Sequence, residues 1–392
     1  MHCKLVNITS LTVFKKYSKR YNIFRDLYEV YSFGLEVKDL SPDNAQAIQK
    51  LFLHNGDFCY LESSDHDTTN LLALGTISKL KENAGIVRAK INEEIGYSFD
   101  SVLNNYENYD NKSITIGDRE LSLKSVNVMG ILNVTPDSFS DGGKYYDKGV
   151  AVEHALKLLK EGADIIDIGG ESTRPGSKSV SVDEELDRVI PVINEIKSLH
   201  PDTIISIDTT KSKVAEESLL AGAQIVNDVS GMTFDPKMAD VVSNKNAAIV
   251  LMHMKGKPET MQNNPGYADV FDEVYEFLYN RIKFAKKNRI SKIIIDPGFG
   301  FGKTLVNNFE LLSRINEFKS LGYPILAGIS RKTMLGNSLN LEVNDREIAT
   351  IIAETIAVTN GVRFIRTHNV ANAAQLKKLV NFVNNPEFLP NV

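Results

Sequence analysis

The stretch TIISIDTTKSKVAEESLLAGAQIVNDVSG, residues 203–231, contains the pattern that decides the fold. Two short β-branched runs, Thr203 to Ile207 and Ile225 to Val229, enclose Lys211 to Ala221, where apolar residues recur with a helical period. Continuous Val, Ile and Leu runs are typical of parallel strands that helices bury on both faces. The stretch therefore predicts one strand, helix, strand unit of a parallel sheet.

The same alternation continues on both sides of this stretch. The predicted strands are Asn127 to Val134, Asp164 to Ile168, Thr203 to Ile207, Ile225 to Val229, Ala248 to Met252, Lys292 to Ile295, Pro324 to Ala327 and Arg363 to Arg366. The predicted helices are Val150 to Glu161, Asp183 to Leu199, Lys211 to Ala221, Val270 to Lys287, Val306 to Ser320, Arg346 to Thr359 and Ala371 to Val383. Eight such units in roughly 260 residues favour a (β/α)8 barrel, and a doubly wound open sheet is the alternative.

The chain divides into two regions. The Asn-rich segment from Asn104 to Lys112 has no period and is interpreted as a linker. We therefore predict an α/β protein: a (β/α)8 TIM barrel over residues 113–392, preceded by a smaller mixed α/β N-terminal domain over residues 1–110. Asn70 to Ile91 is amphipathic and predicts a helix, and Ser113 to Lys124 predicts a hairpin that plugs the bottom of the barrel. No motif in residues 1–110 indicates a function.

Composition and charge exclude several classes of protein. The 392 residues carry a formal net charge of -5, which gives no electrostatic support for a nucleic-acid partner. Cys3 and Cys59 are too few for a disulfide framework. No apolar run reaches the roughly 18 to 20 residues that span a bilayer, and the start does not resemble a signal peptide. We expect a cytoplasmic protein with no membrane partner.

Every predicted strand ends in hydrogen-bonding groups. The residues concerned are Asn133, Asp137, Asp167, Glu171, Ser172, Thr173, Arg174, Asp208, Asn227, Asp228, His253, Asp296, Ser330, Arg331, Lys332, Arg366 and His368. Turn formation or helix capping would explain any one of them. Their coincidence at all eight strand ends favours a site at the barrel mouth, where the carboxyl ends of the strands meet.

Two carboxylates at these strand ends predict a ligand with hydrogen-bond donors. Asp208 and Asp296 should lie deep in the mouth, where an unpaired carboxylate would be costly. A heterocycle with amino and ring N–H groups would satisfy them, and the amide of Asn227 would complete the contact. A salt bridge to Lys332 or Arg366 is the alternative partner.

The cationic residues predict an anion site in the same mouth. Arg174, Arg366 and His368 suit phosphate or pyrophosphate. The segment 296–304 is not a Walker A loop, because Pro297 stands where that motif requires glycine. We interpret it as a flexible loop that covers the ligand.

Three other features have simpler interpretations. The loops 135–143 and 172–178 are rich in turn formers and predict mobile lids. His253 stands between two methionines and is interpreted as a packed core residue. Arg363 is an odd number of positions from Arg366, so it should face the other side of the strand and be structural.

The motifs together resemble the dihydropteroate synthases, which are (β/α)8 barrels of the pterin-binding family. The matching segments are MGILNVTPDSFSDGG (129–143), IGGESTRPG (168–176), SIDT (206–209), VNDV (226–229), LMHM (251–254), DPGFGFGK (296–303), SRK (330–332) and RTH (366–368). The resemblance covers residues 113–385. It implies a transferase of folate biosynthesis that condenses 7,8-dihydropterin-6-ylmethyl diphosphate with 4-aminobenzoate, releasing diphosphate. It also implies Mg2+ as a cofactor, a homodimer and inhibition by sulfonamides.

The resemblance also implies roles for individual residues. Asp208, Asn227, Val229, Met252, Asp296, Phe301 and Lys332 would bind the pterin; Asn133, Arg174, Arg366 and His368 would bind the diphosphate, and Asn133 would hold Mg2+. Phe139, Asp141, Thr173, Arg174, Pro175, Lys332 and Thr333 would surround the aminobenzoate. Asp208, Asp296, Lys332 and Arg366 would be the catalytic residues. Charge considerations predict an SN1-like step in which the leaving diphosphate is neutralised and the pterin cation is supported by carboxylates.

Two departures and two alternatives accompany the resemblance. Asn369 stands where many relatives have Asp, and residues 1–110 do not resemble the domains sometimes fused to the synthase. A corrinoid-linked methyltransferase would share the Asp and Asn contacts with a pterin but would not need the segments 330–332 and 366–368. A non-catalytic barrel would have lost charged site residues, and none is lost.

Overall fold

The computed structural model describes residues 1–24, 27, 30–63, 67–135, 148–172, 179–256, 261 and 265–389. The chain forms two compact units, residues 1–110 with 317–322 and residues 111–316 with 323–392. No helix in these ranges is both long enough and apolar enough to cross a membrane.

The first unit is built on an antiparallel sheet with helices on both faces. Its strands are β1 (His2–Asn7), β2 (Phe33–Leu40), β3 (Phe58–Ser63) and β4 (Thr69–Gly75), in the order β1-β2-β4-β3. Its helices are α1 (Leu11–Tyr21), α2 (Pro42–His54), α3 (Ile77–Lys90) and α4 (Glu93–Glu107). Alternate strand residues fill two cores, so that Leu5 and Val37 pack with α2, α3 and α4 while Val6 and Leu72 pack with α1. This sheet confirms a mixed α/β region before the barrel.

Two predictions for this unit differ in part from the structure. Residues 104–107 of the predicted linker belong to α4, whose Phe99 and Leu103 are buried in the core, and residues 109–111 form a 3₁₀ helix. The two units divide after residue 110, within the predicted segment. Tyr109, which follows α4, is fully buried. The predicted helix from residue 70 to 91 is helical only from Ile77, since Thr69–Gly75 pairs with two neighbouring strands.

The second unit contains a ring of eight parallel strands. They are β7 (Asn127–Asn133), β8 (Ile165–Gly169), β9 (Ile204–Asp208), β10 (Ile225–Asp228), β11 (Ala248–Met252), β12 (Ile293–Asp296), β13 (Leu326–Ala327) and β14 (Phe364–Thr367), after a hairpin of β5 (Ser113–Ile116) and β6 (Arg119–Ser122). The order is β12-β11-β10-β9-β8-β7-β14-β13, and a parallel bridge from Ile295 to Ile325 joins the two ends. The predicted (β/α)8 barrel is confirmed.

Helices surround this ring. They are α5 (Lys148–Glu161), α6 (Val182–Leu199), α7 (Ser212–Leu220), α8 (Met238–Asn244), α9 (Val270–Lys287), α10 (Leu305–Ser313), α11 (Thr333–Leu339), α12 (Glu347–Thr359) and α13 (Val370–Asn384). Seven of these helices were predicted, six of them to within a few residues. The helix that was expected to reach Ser320 ends at Ser313 as α10 and is followed by a 3₁₀ helix, Ile315–Leu321. The sequence missed α8 and α11, because seven residues are too few to show a helical period.

The hairpin lies at the end of the barrel where the strands begin. Ile116 and Leu121 are buried, and Leu123 O accepts a hydrogen bond from Arg363 Nε at 2.7 Å. Arg363 Nη1 also donates to Val358 O at 2.9 Å. Arg363 is therefore structural, as predicted, and the opposite end of the barrel is left for the polar residues.

Candidate active site

The carboxyl ends of four neighbouring strands bring a row of residues together. Asn133, Gly169, Asp208 and Asn227 are consecutive register partners across β7, β8, β9 and β10. Register partners in a parallel sheet face the same side, so the three side chains share one face. A Cβ placed on Gly169 would lie 3.8 Å from both Asn133 Oδ1 and Asp208 Oδ2. Glycine at this position keeps open the space between an amide oxygen and a carboxylate oxygen.

Arg366 connects this row to a second carboxylate. Its Nη2 donates to Asp208 Oδ2 at 2.7 Å and its Nε donates to Asp167 Oδ2 at 2.6 Å. Asn227 Nδ2 donates to the same Asp167 oxygen at 3.1 Å. The salt bridge to Arg366 that was considered for Asp208 is therefore present.

Burial dominates the protonation of this cluster. Desolvation raises the pKa of Asp208 to about 7; Arg366 opposes the shift and the charge of Asp167 adds to it. The two carboxylates raise the pKa of Arg366 against the effect of its burial. Within the described part of the chain, Asp167 Oδ1 and Asp208 Oδ1 are buried and have no hydrogen-bond partner. Buried acceptors of this kind are normally satisfied, so the site is suited to a ligand that supplies donors.

Asp296 and Lys332 lie at neighbouring strand ends. Asp296 Oδ1 accepts from Gly298 N at 2.7 Å, and burial raises the pKa of its carboxyl. Lys332 Nζ donates to Phe299 O at 2.6 Å and lies 4.1 Å from the centre of the Phe301 ring. Burial lowers the pKa of Lys332 to about 8, against the opposing effect of Asp296. The Lys332 ammonium group would therefore lose its proton at about pH 8.

A buried lysine holds the loop that follows β12. Lys303 Nζ donates to Gly298 O at 2.8 Å and to Phe301 O at 3.1 Å. It also lies 3.0 Å from His253 Nδ1 and donates to His253 O at 3.2 Å. Gly298 has φ of 71°, and a Cβ there would clash with His253 O. The buried Lys303 side chain therefore fixes the loop, which differs from the flexible ligand-covering loop that was predicted. Because Lys303 is buried, it is not exposed to bind phosphate.

His253 is a packed core residue, as predicted. Its ring lies at right angles to Phe277 with centroids 5.0 Å apart. Burial first and the charge of Lys303 second lower the pKa of His253 to about 2. The imidazole is therefore neutral, and its Nδ1 can accept from Lys303.

His368 is joined to the seventh strand end through Ser330. Ser330 Oγ accepts from His368 N at 3.2 Å and lies 3.0 Å from His368 Nδ1. These two contacts fix the position of the His368 backbone and ring beside the end of β13.

Asn369 contacts both the start of α13 and Glu347. Its Oδ1 accepts from Asn372 N at 3.1 Å and caps α13. Its Nδ2 donates to Glu347 Oε2 at 2.9 Å, and Glu347 Oε1 accepts from Arg331 Nε at 2.6 Å. An aspartate could cap the helix but could not donate to Glu347. Asn369 therefore suits the glutamate that this chain places beside it.

A hydrogen bond joins the residues on either side of the second predicted lid loop. Glu171 Oε1 accepts from Val180 N at 3.1 Å, which joins the two flanks of the loop. Lys211 Nζ donates to Glu171 Oε2 at 2.6 Å and to Glu185 Oε2 at 2.5 Å. Burial raises the pKa of Glu185, and the contact with Lys211 opposes that shift.

The predicted site residues fall into four groups. Those at or directly after the strand ends are Asn133, Asp208, Asn227, Val229, Met252, Asp296, Arg366 and His368, while Phe301 and Lys332 contact each other across two loops. Thr333 is exposed at the first residue of α11. Phe139, Asp141, Thr173, Arg174 and Pro175 lie outside the described residues.

The contacts of Asp167, Glu347 and Asn369 were not predicted from the sequence. A buried contact of Asp167 could have been inferred from the sequence, since it is a lone carboxylate in the apolar run IIDIG. The contact of Asn369 with Glu347 could not have been inferred, because Glu347 is one of many glutamates that begin a helix.

Oxygen ligands for a metal are few in this part of the structure. Across the described ranges, no three His, Cys, Asp or Glu side chains group together in a way that could hold a metal ion. Asn133 Oδ1 is an amide oxygen at the end of β7. Mg2+ is often held by one or two protein oxygens together with substrate phosphates and water, so this set fits a phosphate-bound Mg2+.

Comparison with known proteins places the chain in a family. Residues 129–368 match the family of pterin binding enzymes. The dihydropteroate synthase of Escherichia coli (strain K12) is 44% identical over 262 residues, which are 66% of this chain and 92% of that protein.

Two solved structures agree with this match. The Yersinia pestis dihydropteroate synthase in complex with a sulfonamide drug superposes with a TM-score of 0.66 at 39% identity, over 70% of this chain and 99% of that one. The Xanthomonas albilineans dihydropteroate synthase with 4-aminobenzoic acid gives 0.65 at 40% identity, over 71% and 99%. A shared fold, a family match over more than half of the chain and this level of identity lead to one conclusion: the chain belongs to the pterin-binding enzymes.

Proposed function

We propose that this chain is a dihydropteroate synthase, which joins 7,8-dihydropterin-6-ylmethyl diphosphate to 4-aminobenzoate and releases diphosphate. The observation that carries the proposal is the contact of the partly exposed Arg366 with the buried Asp208 at the barrel mouth, beside Asn227. This contact combines a cation suited to a leaving diphosphate with an anion suited to a pterin cation. The 44% identity to the Escherichia coli enzyme supports the same reaction.

The pterin ring would bind among the buried polar groups. Asp296 and the amide oxygen of Asn227 would accept from its amino-pyrimidine edge, and Asp208 Oδ1 is available for a ring N–H. Lys332 would donate to the ring. Val229, Met252 and Phe301 would pack against its faces, and the first two are almost fully buried.

The diphosphate would bind at the adjacent strand ends. Arg366 keeps further guanidinium hydrogens after its bonds to Asp167 and Asp208. His368 directly follows the same strand, β14, and its imidazole would bind a diphosphate oxygen. Asn133 stands on the next strand, β7, which pairs with β14. Arg174, whose place is outside the described residues, would add a second guanidinium.

Mg2+ is proposed as a cofactor of the diphosphate. Asn133 would be its protein ligand, and the remaining ligands would be diphosphate oxygens and water. When bound, Mg2+ would neutralise charge on the departing diphosphate.

The reaction would proceed by loss of diphosphate first. The bond between the pterin methylene carbon and the bridging oxygen breaks, and its electron pair stays on the diphosphate. The methylene cation is delocalised into the ring, where Asp208 and Asp296 face it with negative charge. The amine lone pair of aminobenzoate then forms the C–N bond, and its proton passes to solvent. Because an arylamine is uncharged at neutral pH, no strong general base is required.

The aminobenzoate pocket would be completed by the two lid loops. Lys332 and Thr333 begin α11 beside the site. Phe139, Asp141, Thr173, Arg174 and Pro175 would close the other sides. Sulfonamides are proposed to compete with aminobenzoate here, which the drug complex of the Yersinia pestis enzyme supports.

A homodimer is proposed through the outer face of α12. Ile348, Ile352 and Ile356 are 73%, 55% and 43% exposed and recur every four residues, so they form one apolar stripe. A second copy of the chain would cover this stripe. Light scattering should show a dimer that Ile352→Lys converts to a monomer; a monomeric wild-type protein would refute this.

A cytoplasmic location is also proposed. Cys3 and Cys59 are buried free thiols, which supports a reducing compartment. Cell fractionation should recover the protein with cytoplasmic markers, and recovery with secreted proteins would refute the location.

The function is tested by diphosphate release from the purified full-length protein. The pterin diphosphate and 4-aminobenzoate are supplied together and each alone, with and without Mg2+. Rapid release should require both substrates, and mass spectrometry should detect 7,8-dihydropteroate in equal amount. Release at the same rate without aminobenzoate would exclude the synthase, and no release would exclude diphosphate chemistry.

A further inference from the structure

Asp167 joins two strands that are not neighbours. It lies on β8 two residues before Gly169, so its side chain faces the same side as the polar row at the strand ends. It is fully buried. Its Oδ2 accepts from Arg366 on β14 at 2.6 Å and from Asn227 on β10 at 3.1 Å. Each of these strands is two places from β8, on opposite sides of it.

We propose that Asp167 is a positioning residue that fixes Arg366 and Asn227 in one arrangement and thereby couples the diphosphate and pterin halves of the site. The inference rests on the proposed function, because that function assigns Arg366 to the diphosphate and Asn227 to the pterin.

The contact with Asn227 selects one orientation of its amide. An ionised carboxylate only accepts hydrogen bonds, so the NH2 end of Asn227 must face Asp167. The amide oxygen is then directed away from Asp167 as an acceptor. Asp167 thus determines that Asn227 offers an acceptor to an N–H group of the pterin.

The contact with Arg366 selects which guanidinium hydrogens remain. Nε is used by Asp167 and one Nη2 hydrogen by Asp208. A guanidinium has five N–H donors in a rigid plane, so three remain in a fixed direction. Fixing that plane places the donors for the departing diphosphate.

Asp167→Asn is the test variant, because it keeps the size of the side chain and removes its charge. Its amide can donate as well as accept, so Asn227 is no longer held in one orientation. Binding is measured by calorimetry with 6-hydroxymethyl-7,8-dihydropterin and with inorganic diphosphate as separate probes. We expect the Kd for the pterin alcohol to rise at least about tenfold, as for a lost hydrogen bond to a charged group.

The other two readouts should move differently. The Kd for inorganic diphosphate should change much less than the Kd for the pterin alcohol, because removal of a negative charge beside Arg366 offsets the loss of its fixed orientation. The kcat should fall at least about tenfold, because Arg366 is no longer fixed. A pterin affinity and kcat within about twofold of wild type would overturn the proposal. A diphosphate affinity that weakens in step with the pterin affinity would also overturn it, since that indicates a general collapse of the site.

Two further variants make the result specific. Asp164→Asn removes a carboxylate from the other end of the same strand, where Asp164 contacts Lys377, and should leave both affinities unchanged. With Asn227→Ala as background, Asp167→Asn should cause no further loss of pterin affinity. If circular dichroism shows that Asp167→Asn does not fold, Asp167→Ser is measured with the same expectations. The binding probes need no turnover, so a wild-type protein without synthase activity would refute the function and leave this inference testable.

Discussion

Arg366 Nη2 donates to Asp208 Oδ2 at 2.7 Å, and yet burial raises the pKa of the Asp208 carboxyl to about 7. The anion that would support the pterin cation is therefore formed only at about pH 7 and above. Lys332, whose burial lowers its pKa to about 8, loses its charge not far above. The site would be in its working charge state over a narrow range.

We expect a bell-shaped dependence of kcat/KM for the pterin diphosphate on pH. The acid limb, near pH 7, corresponds to protonation of Asp208, and the basic limb, near pH 8, corresponds to loss of the Lys332 proton. Steady-state rates from pH 5 to 10 would show it. A rate that is flat from pH 5 to 7 would contradict the assigned charge of Asp208.

Glu354→Gln should stabilise the unliganded protein at high pH. Burial raises the pKa of Glu354 to about 8, so the folded state binds a proton that the unfolded state has lost between about pH 4.5 and 8. The wild type therefore loses stability as pH rises through this window, and glutamine does not. We expect a gain of at least about 1 kcal/mol in unfolding free energy at pH 8 and none at pH 4.

Urea unfolding at the two pH values measures this difference. Glu276→Gln, at an exposed position of α9, is the matched control and should change stability little at either pH. An equal gain for Glu354→Gln at both pH values would contradict the raised pKa.

Asn369→Asp should weaken substrate binding without uncapping α13. The carboxylate still accepts from Asn372 N, but it faces Glu347 Oε2 where Asn369 donates at 2.9 Å. Repulsion should release Glu347 from Arg331, the residue before Lys332. We expect KM for the pterin diphosphate to rise about three- to tenfold, as for a lost hydrogen bond.

Glu347→Gln supplies the compensating change. Its amide can donate to an aspartate at position 369, so the double variant should bind substrate better than Asn369→Asp alone. A double variant no better than the single one would show that the pair does not act through this contact.

Lys303→Met should destabilise the protein and misplace the loop after β12. The change leaves the carbonyls of Gly298, Phe301 and His253 without the Lys303 Nζ group that donates to them. Each buried unsatisfied group costs about 1–3 kcal/mol, so a large drop in Tm and a higher KM for the pterin diphosphate are expected. Lys255→Met, on a partly exposed lysine that contacts Glu273, should have much smaller effects. Equal effects of the two changes would argue against the anchoring role.

The barrel could be predicted because each of its strands and long helices has a pattern of apolar residues that is visible in the local sequence. Each strand is an apolar run, and the period changes where each long helix begins. The four-stranded sheet could not be predicted, because β4 pairs with β2 and β3 through contacts that leave no period in the sequence. Short helices such as α11 were not predicted, because seven residues are too few to show a helical period.

The positions of the polar residues at the strand ends could be predicted from the sequence, and most of the contacts between them could not. Asp208 and Arg366 could be placed at strand ends, since all strands of a barrel end at one mouth. That Asp167 would hold both Arg366 and Asn227 depends on the ring geometry, which brings together residues 199 and 60 positions apart. The burial of Lys303 likewise depends on where the backbone of the β11 loop passes.

The central claim is that Asp208 supports the cation formed when diphosphate leaves. The direct measurement is the rate of 7,8-dihydropteroate formation by Asp208→Asn at pH 8, beside wild type and the exposed control Asp202→Asn, with folding checked by circular dichroism. We predict that Asp208→Asn folds like wild type and is at least about 100-fold slower, as when a charge-stabilising group is removed from an active site, while Asp202→Asn keeps its rate. A folded Asp208→Asn protein with a rate near that of wild type would contradict the account.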